Sequence, residues 1–226
     1  MKSDDSMKLF SSLPLFPVRL HMRTDLHLAR KVWHLVMGLS IVGVYLAGMS
    51  RGTSIMFLGS ALGIDVLVEA ARLRNPALNE KILRMWGPFM RSCEVDRFSG
   101  TPYYISAAIL AIAIFPKPIA VLSILYLACG DPIASLFGVL HGHRSIRFKN
   151  GKSLVGTVAG IVTCFITTLI FLKAMDLPSS VVWVMSLSGG LAGGLAEHIP
   201  WDIDDNFTIP IFSGFILWLA FILMGI

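Results

Sequence analysis

Charged residues and cysteines are scarce in this chain. Only 15% of its 226 residues are Asp, Glu, Lys or Arg, against 55% hydrophobic residues, and the mean hydropathy is +0.73. A soluble domain carries about 25% charged residues, and disordered or collagen-like chains are less apolar than this. The three cysteines form no CxxC pair and no even set, which excludes a disulfide framework and a structural zinc site. The composition predicts a polytopic membrane protein.

Seven apolar runs are candidates to cross about 30 Å of hydrocarbon. They cover residues 32–49, 53–70, 101–115, 119–140, 154–172, 180–196 and 207–225. We therefore expect an all-α transmembrane bundle of about seven spans over residues 30–226. Residues 1–29 would form a cytoplasmic N-terminal segment, in which no signal peptide is predicted because a continuous apolar run is absent. Residues 71–100 mix apolar and basic positions and predict an amphipathic cytoplasmic segment at the membrane surface.

Basic residues are distributed unevenly between the two sides of these spans. Sixteen of the nineteen fall in residues 1–31, 71–100 and 141–153, whereas the opposite side holds only Arg51, Lys117 and Lys173. The positive-inside rule then predicts a cytoplasmic N-terminus, cytoplasmic long loops and a C-terminus outside. This distribution explains the net charge of +5 without a nucleic acid as partner.

Carboxylates within the apolar runs need an explanation, since an ionisable side chain in a bilayer costs about 2.5–3.5 kcal/mol on insertion scales. Asp131 lies between Gly130 and Pro132, where we predict that the helix breaks and opens a polar cavity. The alternative is that Asp131 only caps the second half of that helix. Asp65 and Glu69 share one face of the second run; Glu69 would pair with a neighbouring arginine, whereas Asp65 lies deeper.

An acidic segment precedes the last run. Residues 197–206 contain Glu197, Asp202, Asp204, Asp205 and Asn206 but no Lys or Arg. Carboxylate and amide oxygens at this density suit Mg²⁺ bound together with phosphate oxygens. The alternative is a solvated polar turn.

Two basic segments suggest phosphate binding. Gly151-Lys152-Ser153 offers backbone N–H groups, an ammonium and a hydroxyl at a helix start, although it is no Walker A motif. Arg30, Lys31 and His34 open the first run, where interface anchoring and ordinary packing are the alternatives. Metal-binding and phosphate-binding groups beside lipid are what phosphoryl transfer to a lipid requires.

Four segments carry a family resemblance. In chain order they are Arg30-Lys31-x-x-His34, Gly130-Asp131-Pro-Ile-Ala-Ser135 followed by Gly138, Lys152-Ser153-x-x-Gly156-Thr157, and Glu197-x-x-Pro200 through Asp204-Asp205-Asn206-x-Thr208-Ile-Pro210. They resemble the CTP-dependent lipid alcohol kinases, which include dolichol kinase, phytol kinase and CTP-type diacylglycerol kinase. Arg97-x-x-Gly100-Thr101-x-Tyr103 resembles a stretch of the small bacterial members. Val155 stands where the family usually has an acidic residue.

The resemblance implies that the γ-phosphoryl group of CTP is transferred to the hydroxyl of a polyprenol, a diacylglycerol or a phytol-like alcohol, with Mg²⁺ as cofactor. It implies the following roles: Asp131, Asp205 and Glu197 as metal ligands; Asp131, Lys152, Asp205 and Asp204 as catalytic residues; Arg30, Lys31, Gly130, Gly151, Ser153, Arg97 and Asn206 as nucleotide or phosphate-binding residues. The base for the lipid hydroxyl stays open among Asp131, Asp204 and His34.

Three other readings remain at this stage. A phosphatidate-type cytidylyltransferase would use the same groups but release pyrophosphate. In a small transporter, Asp65, Glu69 and Asp131 would line the transport pathway. In a scaffold without catalytic activity, the carboxylates would have no function that offsets their cost in the membrane. Small-residue pairs, Gly59/Gly63, Gly156/Gly160, Gly189/Gly193 and Gly190/Gly194, permit close helix contacts and would also permit a homodimer.

Overall fold

The computed structural model describes residues 26–142, 145–148, 150–199 and 203–225, and these form a helical bundle without a β-strand. The α-helices are α1 (Leu28–Leu46), α2 (Arg51–Arg74), α3 (Pro76–Trp86), α4 (Gly100–Ile114), α5 (Lys117–Leu125), α6 (Asp131–His141), α7 (Leu154–Lys173), α8 (Ser179–Leu195) and α9 (Asp205–Leu223). The predicted segment 1–29 lies outside the described residues up to residue 25.

Five helical stretches are long and apolar enough to cross a membrane: α2, α5 continued by α6, α7, α8 with the turn that follows it, and α9. This confirms an all-α architecture with several membrane-spanning helices. Helices α1 and α4 are not among these five stretches. Helix α1 has two basic residues in its first turn, and α4 has only 15 residues. Seven spans and the sidedness of the termini stay predictions.

The fourth apolar run forms one continuous helix. Residues 117–141 pass from α5 to α6 through a π turn, Tyr126–Gly130, in which the N–H of Asp131 donates to the carbonyl of Tyr126. A proline lacks an N–H, and its ring crowds the carbonyl four residues earlier. The wider turn directly before Pro132 accommodates the ring, so the break predicted from the sequence is wrong.

This central helix carries the core of the bundle. In its most apolar window 67% of the residues are buried, against 17% in α2. The α5 residues from Ile119 to Ile124 are almost inaccessible, and the Tyr126 hydroxyl and the Thr168 hydroxyl of α7 share a hydrogen bond of 2.5 Å. Helices α1, α4, α7, α8 and α9 therefore pack against the helix that bears Asp131, whereas α2 packs against α4.

Residues 75–99 are organised by a buried arginine. Arg72 is inaccessible to solvent and forms two hydrogen bonds of 2.8 Å with the carboxylate of Glu69. It also donates to the carbonyls of Glu94 and Arg97, which holds this segment against α2. The pairing alternative for Glu69 is thus confirmed. The amphipathic segment contains α3, whose N-cap Asn75 accepts hydrogen bonds from two backbone N–H groups.

The short connections between α1 and α2 and between α4 and α5 lie together at the end of the bundle away from the long polar loops. Arg51 donates to the carbonyl of Phe115 at 2.8 Å, and the Lys117 ammonium lies 4.8 Å from the centre of the Tyr45 ring. Two of the three basic residues assigned to that side of the membrane therefore lie together, away from the long polar loops.

The glycine pairs of α7 and α8 lie at helix contacts, whereas those of α2 do not. A Cβ on Gly194 would lie 2.6 Å from the backbone nitrogen of Ile161, but one on Gly59 would meet no atom within 4 Å. We expect Gly194→Leu to destabilise the folded protein by about 1–3 kcal/mol or more, because overpacking forces the helix backbones apart.

The matched control is Gly59→Leu, in which the side chain extends into open space. Thermal unfolding of both variants in the same detergent measures the effect. Equal melting temperatures for Gly194→Leu and the unmodified protein would contradict the observed contact between α7 and α8.

Candidate active site

Lys152 lies at the centre of an ionic cluster formed by three chain segments. Its ammonium is 2.6 Å from Oε2 of Glu197 and 2.9 Å from Oδ2 of Asp205. Burial lowers the pKa of Lys152, but the carboxylates of Glu197 and Asp205 outweigh burial and raise it above its usual value. The side chain is therefore a permanent cation at the junction of α7, α8 and α9.

The loop before α7 presents Lys152 on a tight turn. The N–H of Phe148 donates to the carbonyl of Lys152 at 2.8 Å, and Gly151 has a φ of +82°, a conformation that a Cβ disfavours. The hydroxyl oxygen of Ser153 accepts a hydrogen bond from the N–H of Gly156 and caps α7. This leaves its hydroxyl proton for a phosphate oxygen.

The start of α9 orients two acidic residues. Oδ1 of Asp204 accepts from the N–H of Asn206 and caps the helix, while Asp205 in the first turn faces Lys152. Burial raises the pKa of Asp204. The side chain of Asn206 is buried and donates to the carbonyl of Gly100 at 3.2 Å, so this amide connects α9 to α4.

Asp131 faces α1 across the bundle. Its Oδ2 lies 3.8 Å from Nδ1 of His34, and only 15% of the Asp131 side chain is exposed. The carboxylate does not cap α6, whose N-cap position is Gly130 and has no side-chain cap. A Cβ on Gly130 would lie 2.6 Å from the Cys164 sulfur, which is a packing reason for this glycine.

Arg30 and Lys31 lie at the beginning of α1, on the Asp131 side. Arg30 is buried, and its Nη1 is 2.8 Å from Oε1 of Glu94. Lys31 is half-buried and donates to the carbonyl of Leu26 at 2.6 Å. The charge of Arg30 is therefore partly compensated, whereas the ammonium of Lys31 keeps two donors for a ligand.

Arg91, rather than Arg97, brings the middle segment into the site. Arg91 lies within electrostatic range of Asp131, Asp204 and Asp205; burial lowers its pKa, but these carboxylates outweigh burial and raise it. The side chain of Arg97 is exposed and lines none of the cavities described below. The sequence offered no signal for Arg91, because basic residues occur throughout residues 71–100 and only the fold selects one of them.

A histidine missed by sequence reasoning supports the Lys152 loop. Nε2 of His198 lies 2.8 Å from the hydroxyl of Thr157, and its Nδ1 is 3.3 Å from the amide nitrogen of Asn150. The Phe148 ring packs edge-on against it at 4.6 Å. Its position next to Glu197 was the only available signal.

Asp65 and Glu69 do not join the Lys152 cluster. Glu69 is occupied by Arg72, as described above. Asp65 is half-buried on α2 and lines a separate cavity.

Two neighbouring cavities contain Lys152 and Asp131. The larger, of about 330 Å³, is lined by Lys152, Glu197, Asp205 and the glycine loop, and the smaller, of about 50 Å³, contains Asp131, Lys31 and His34. Arg91 and Ser135 line both. Residues from distant sequence segments therefore line two neighbouring cavities that share one wall.

The carboxylates fit Mg²⁺ in one particular way. Within the described ranges no three His, Cys, Asp or Glu side chains converge on a metal site of their own, and Asp202 lies outside those ranges. Mg²⁺ is commonly held by one or two carboxylates plus phosphate oxygens and waters. Asp131 and Asp205 line neighbouring cavities, and such carboxylates match that binding mode, in which the nucleotide would supply the remaining ligands.

The chain was compared with known proteins. No protein-family model matches it, and no solved structure is significantly similar. CTP-dependent diacylglycerol kinase 1 of Eremothecium gossypii is 30% identical over 203 residues, which are 81% of this chain and 64% of that protein. CTP-dependent diacylglycerol kinase 1 of Saccharomyces cerevisiae is 29% identical over 208 residues, which are 84% and 72% of the two chains.

A phytol kinase of Synechocystis is 35% identical over 139 residues, which are 58% of this chain and 59% of that protein. The chain thus spans about two thirds of the length of the curated relatives it matches. These relatives are members of the family that the four segments around Lys152 and Asp131 resemble. The chain belongs to the lipid alcohol kinase family whose members include CTP-dependent diacylglycerol kinases and phytol kinases.

Proposed function

We propose that this protein is an integral membrane kinase that transfers the γ-phosphoryl group of CTP to the hydroxyl of diacylglycerol. One observation carries the chemistry: Lys152, Arg91 and Asp205 line one cavity, and Asp131 lines a neighbouring cavity that shares Arg91, although the four residues come from separate segments. The relatives named as CTP-dependent diacylglycerol kinases support CTP as donor and diacylglycerol as acceptor. The concentration of basic residues on this side of the bundle supports a cytoplasmic active site.

The charges of the site match the demands of phosphoryl transfer, which depends on positioning and on electrostatic stabilisation. The larger cavity would take the triphosphate, with Lys152, Arg91 and the Ser153 hydroxyl donating to its oxygens. Asp131 and Asp205 would hold Mg²⁺, which supplies Lewis-acid stabilisation of phosphate charge when bound.

The reaction forms one P–O bond and breaks another, and a proton is transferred to a base. The lipid hydroxyl oxygen attacks the γ-phosphorus, the bond from that phosphorus to the bridging oxygen breaks, and CDP leaves with the electron pair. The hydroxyl proton passes to a base, for which Asp131, Asp204 and His34 stay candidates. Arg91 and Lys152 then stabilise the charge that develops on the transferred group and on CDP.

The cytidylyltransferase alternative is not favoured by the comparisons, since the curated relatives above are named as kinases. It differs from the kinase in products: a cytidylyltransferase releases pyrophosphate and makes a CDP-lipid, whereas a kinase releases CDP and makes a phospholipid.

Purified protein in lipid nanodiscs, supplied with Mg²⁺, diacylglycerol and CTP labelled at the γ-phosphate, should incorporate label into phosphatidic acid. We expect Asp131→Asn to lower the rate about 100-fold or more, because a group that stabilises transition-state charge is removed. Asp96→Asn, at an exposed residue of the same charge, is the matched control and should keep the rate.

Parallel reactions with labelled ATP and with phytol test the donor and the acceptor. Label entering lipid from ATP alone would refute CTP as donor, and phosphorylation of phytol but not of diacylglycerol would refute the acceptor. Pyrophosphate release without labelled lipid would establish the cytidylyltransferase instead.

Arg91 and Arg97 provide a second test, since Arg91 lines both cavities of the proposed site and Arg97 lines neither. We expect Arg91→Gln to lower kcat for lipid phosphorylation at least about 100-fold, with Arg97→Gln close to the unmodified protein. Steady-state rates at saturating CTP and diacylglycerol measure the difference. The opposite ranking would mean that Arg97, not Arg91, reaches the phosphates.

A further inference from the structure

A third cavity, of about 310 Å³, lies between α1, α2, α3 and the start of α4. Much of its wall is apolar, and it includes an aromatic cluster of Trp33, Trp86 and Phe89, whose ring centres are 5.7–5.8 Å apart. The amphipathic helix α3 contributes Ile82 and Met85 to this wall. The cavity is therefore built for a ligand with a hydrocarbon part.

Three of the residues that line this cavity each have one buried polar atom without a hydrogen-bond partner among the described residues. Nη2 of Arg30, Nδ1 of His34 and Oδ2 of Asp65 are all buried, and none has a hydrogen bond within the described part of the chain. The side chains of Arg30 and His34 are more than nine-tenths buried. A buried polar atom without a partner is costly, so three around one cavity indicate a ligand with polar atoms of its own.

The same cavity adjoins the site of phosphoryl transfer. Arg30 and His34 also line the small cavity that contains Asp131, and Nδ1 of His34 is 3.8 Å from the Asp131 carboxylate. A ligand bound here would therefore hold its polar end next to the phosphate side of the site.

Two residues that line the cavity are also exposed on the surface of the bundle that would face lipid. Val68 of α2 is 44% exposed and Met85 of α3 is 65% exposed, although both line the cavity. A hydrocarbon chain can leave between them without crossing the polar site, so the ligand enters from the membrane.

We infer that this cavity binds the acceptor diacylglycerol, with Asp65 accepting a hydrogen bond from the lipid hydroxyl and Nη2 of Arg30 donating to a lipid oxygen. This inference rests on the proposed kinase function and adds the acceptor site. Asp65 belongs to none of the four sequence segments that carry the family resemblance. Of the three unpartnered groups, an ionised carboxylate alone is purely an acceptor, which is what a hydroxyl donor needs.

The first test is binding without chemistry. A diacylglycerol analogue with a photoreactive diazirine in the acyl chain is irradiated with the full-length protein in nanodiscs, without nucleotide. Mass spectrometry should place the label on cavity residues of α1, α2 and α3. Asp65→Leu should lower the labelling, and Asp65→Asn, which keeps one acceptor oxygen, should lower it less.

The second test separates binding from catalysis. We expect Asp65→Leu to raise KM for diacylglycerol at least about tenfold and to leave KM for CTP unchanged. Val68→Phe should also raise KM for diacylglycerol, because it fills the mouth of the cavity. Leu67→Phe, on an outward-facing neighbour that is 71% exposed and does not line the cavity, is the matched control.

Thermal unfolding distinguishes a ligand-binding role of Asp65 from a structural one. Because its buried oxygen has no hydrogen-bond partner within the described ranges, Asp65→Leu should melt no lower than the unmodified protein. A lower melting temperature, with KM for diacylglycerol unchanged, would overturn the inference.

The two proposals fail separately. Lipid phosphorylation with label placed outside the cavity would overturn the acceptor site and leave the kinase intact. Labelling that depends on Asp65, in a protein that phosphorylates no lipid, would refute the kinase and support the lipid cavity.

Discussion

The Lys152 ammonium, held between the carboxylates of Glu197 and Asp205, is the interaction on which the candidate site depends. It joins the segment before α7, the turn after α8 and the first turn of α9, which come from separate parts of the chain. Lys152 is mostly buried, and so is Glu197; removing one partner would leave an uncompensated charge, which costs far more than an exposed pair would. The cluster therefore holds the glycine loop, the end of α8 and the start of α9 together. The position of the α9 start in turn fixes the positions of Asp204 and Asn206.

A second constraint operates on the other side of the bundle. Arg72 is fully buried and finds its partners in Glu69 and in backbone carbonyls of residues 94–97. These contacts hold the segment that contains Arg91 and Glu94, so an ion pair outside the candidate site determines where the charge of Arg91 is placed. Glu94 in turn pairs with Arg30, and the two halves of the site meet at α1.

The arrangement of cavities matches the two proposed substrates, which have opposite character. The polar cavity around Lys152 contains the groups that suit a triphosphate, whereas the cavity beside Asp65 is largely apolar and opens among lipid-facing residues. Arg30, His34 and Asp131 lie where the two approach each other. A kinase with a lipid acceptor requires such a division, because its substrates are stable in different solvents and must still react at one point.

The sequence by itself determined the all-α architecture with several apolar helices and the four polar segments, since these depend on composition and on spacing along the chain. For Glu69 it left a pair with Arg72 or Arg74 as one alternative, and the structure selects Arg72. The sequence did not determine that a π turn accommodates Pro132, because that depends on whether the packing of the surrounding helices keeps this helix continuous. Nor did it select Arg91 over Arg97 or show that His198 supports the Lys152 loop. Such contacts join residues far apart in the chain, and only the tertiary structure decides which basic side chain reaches a buried carboxylate.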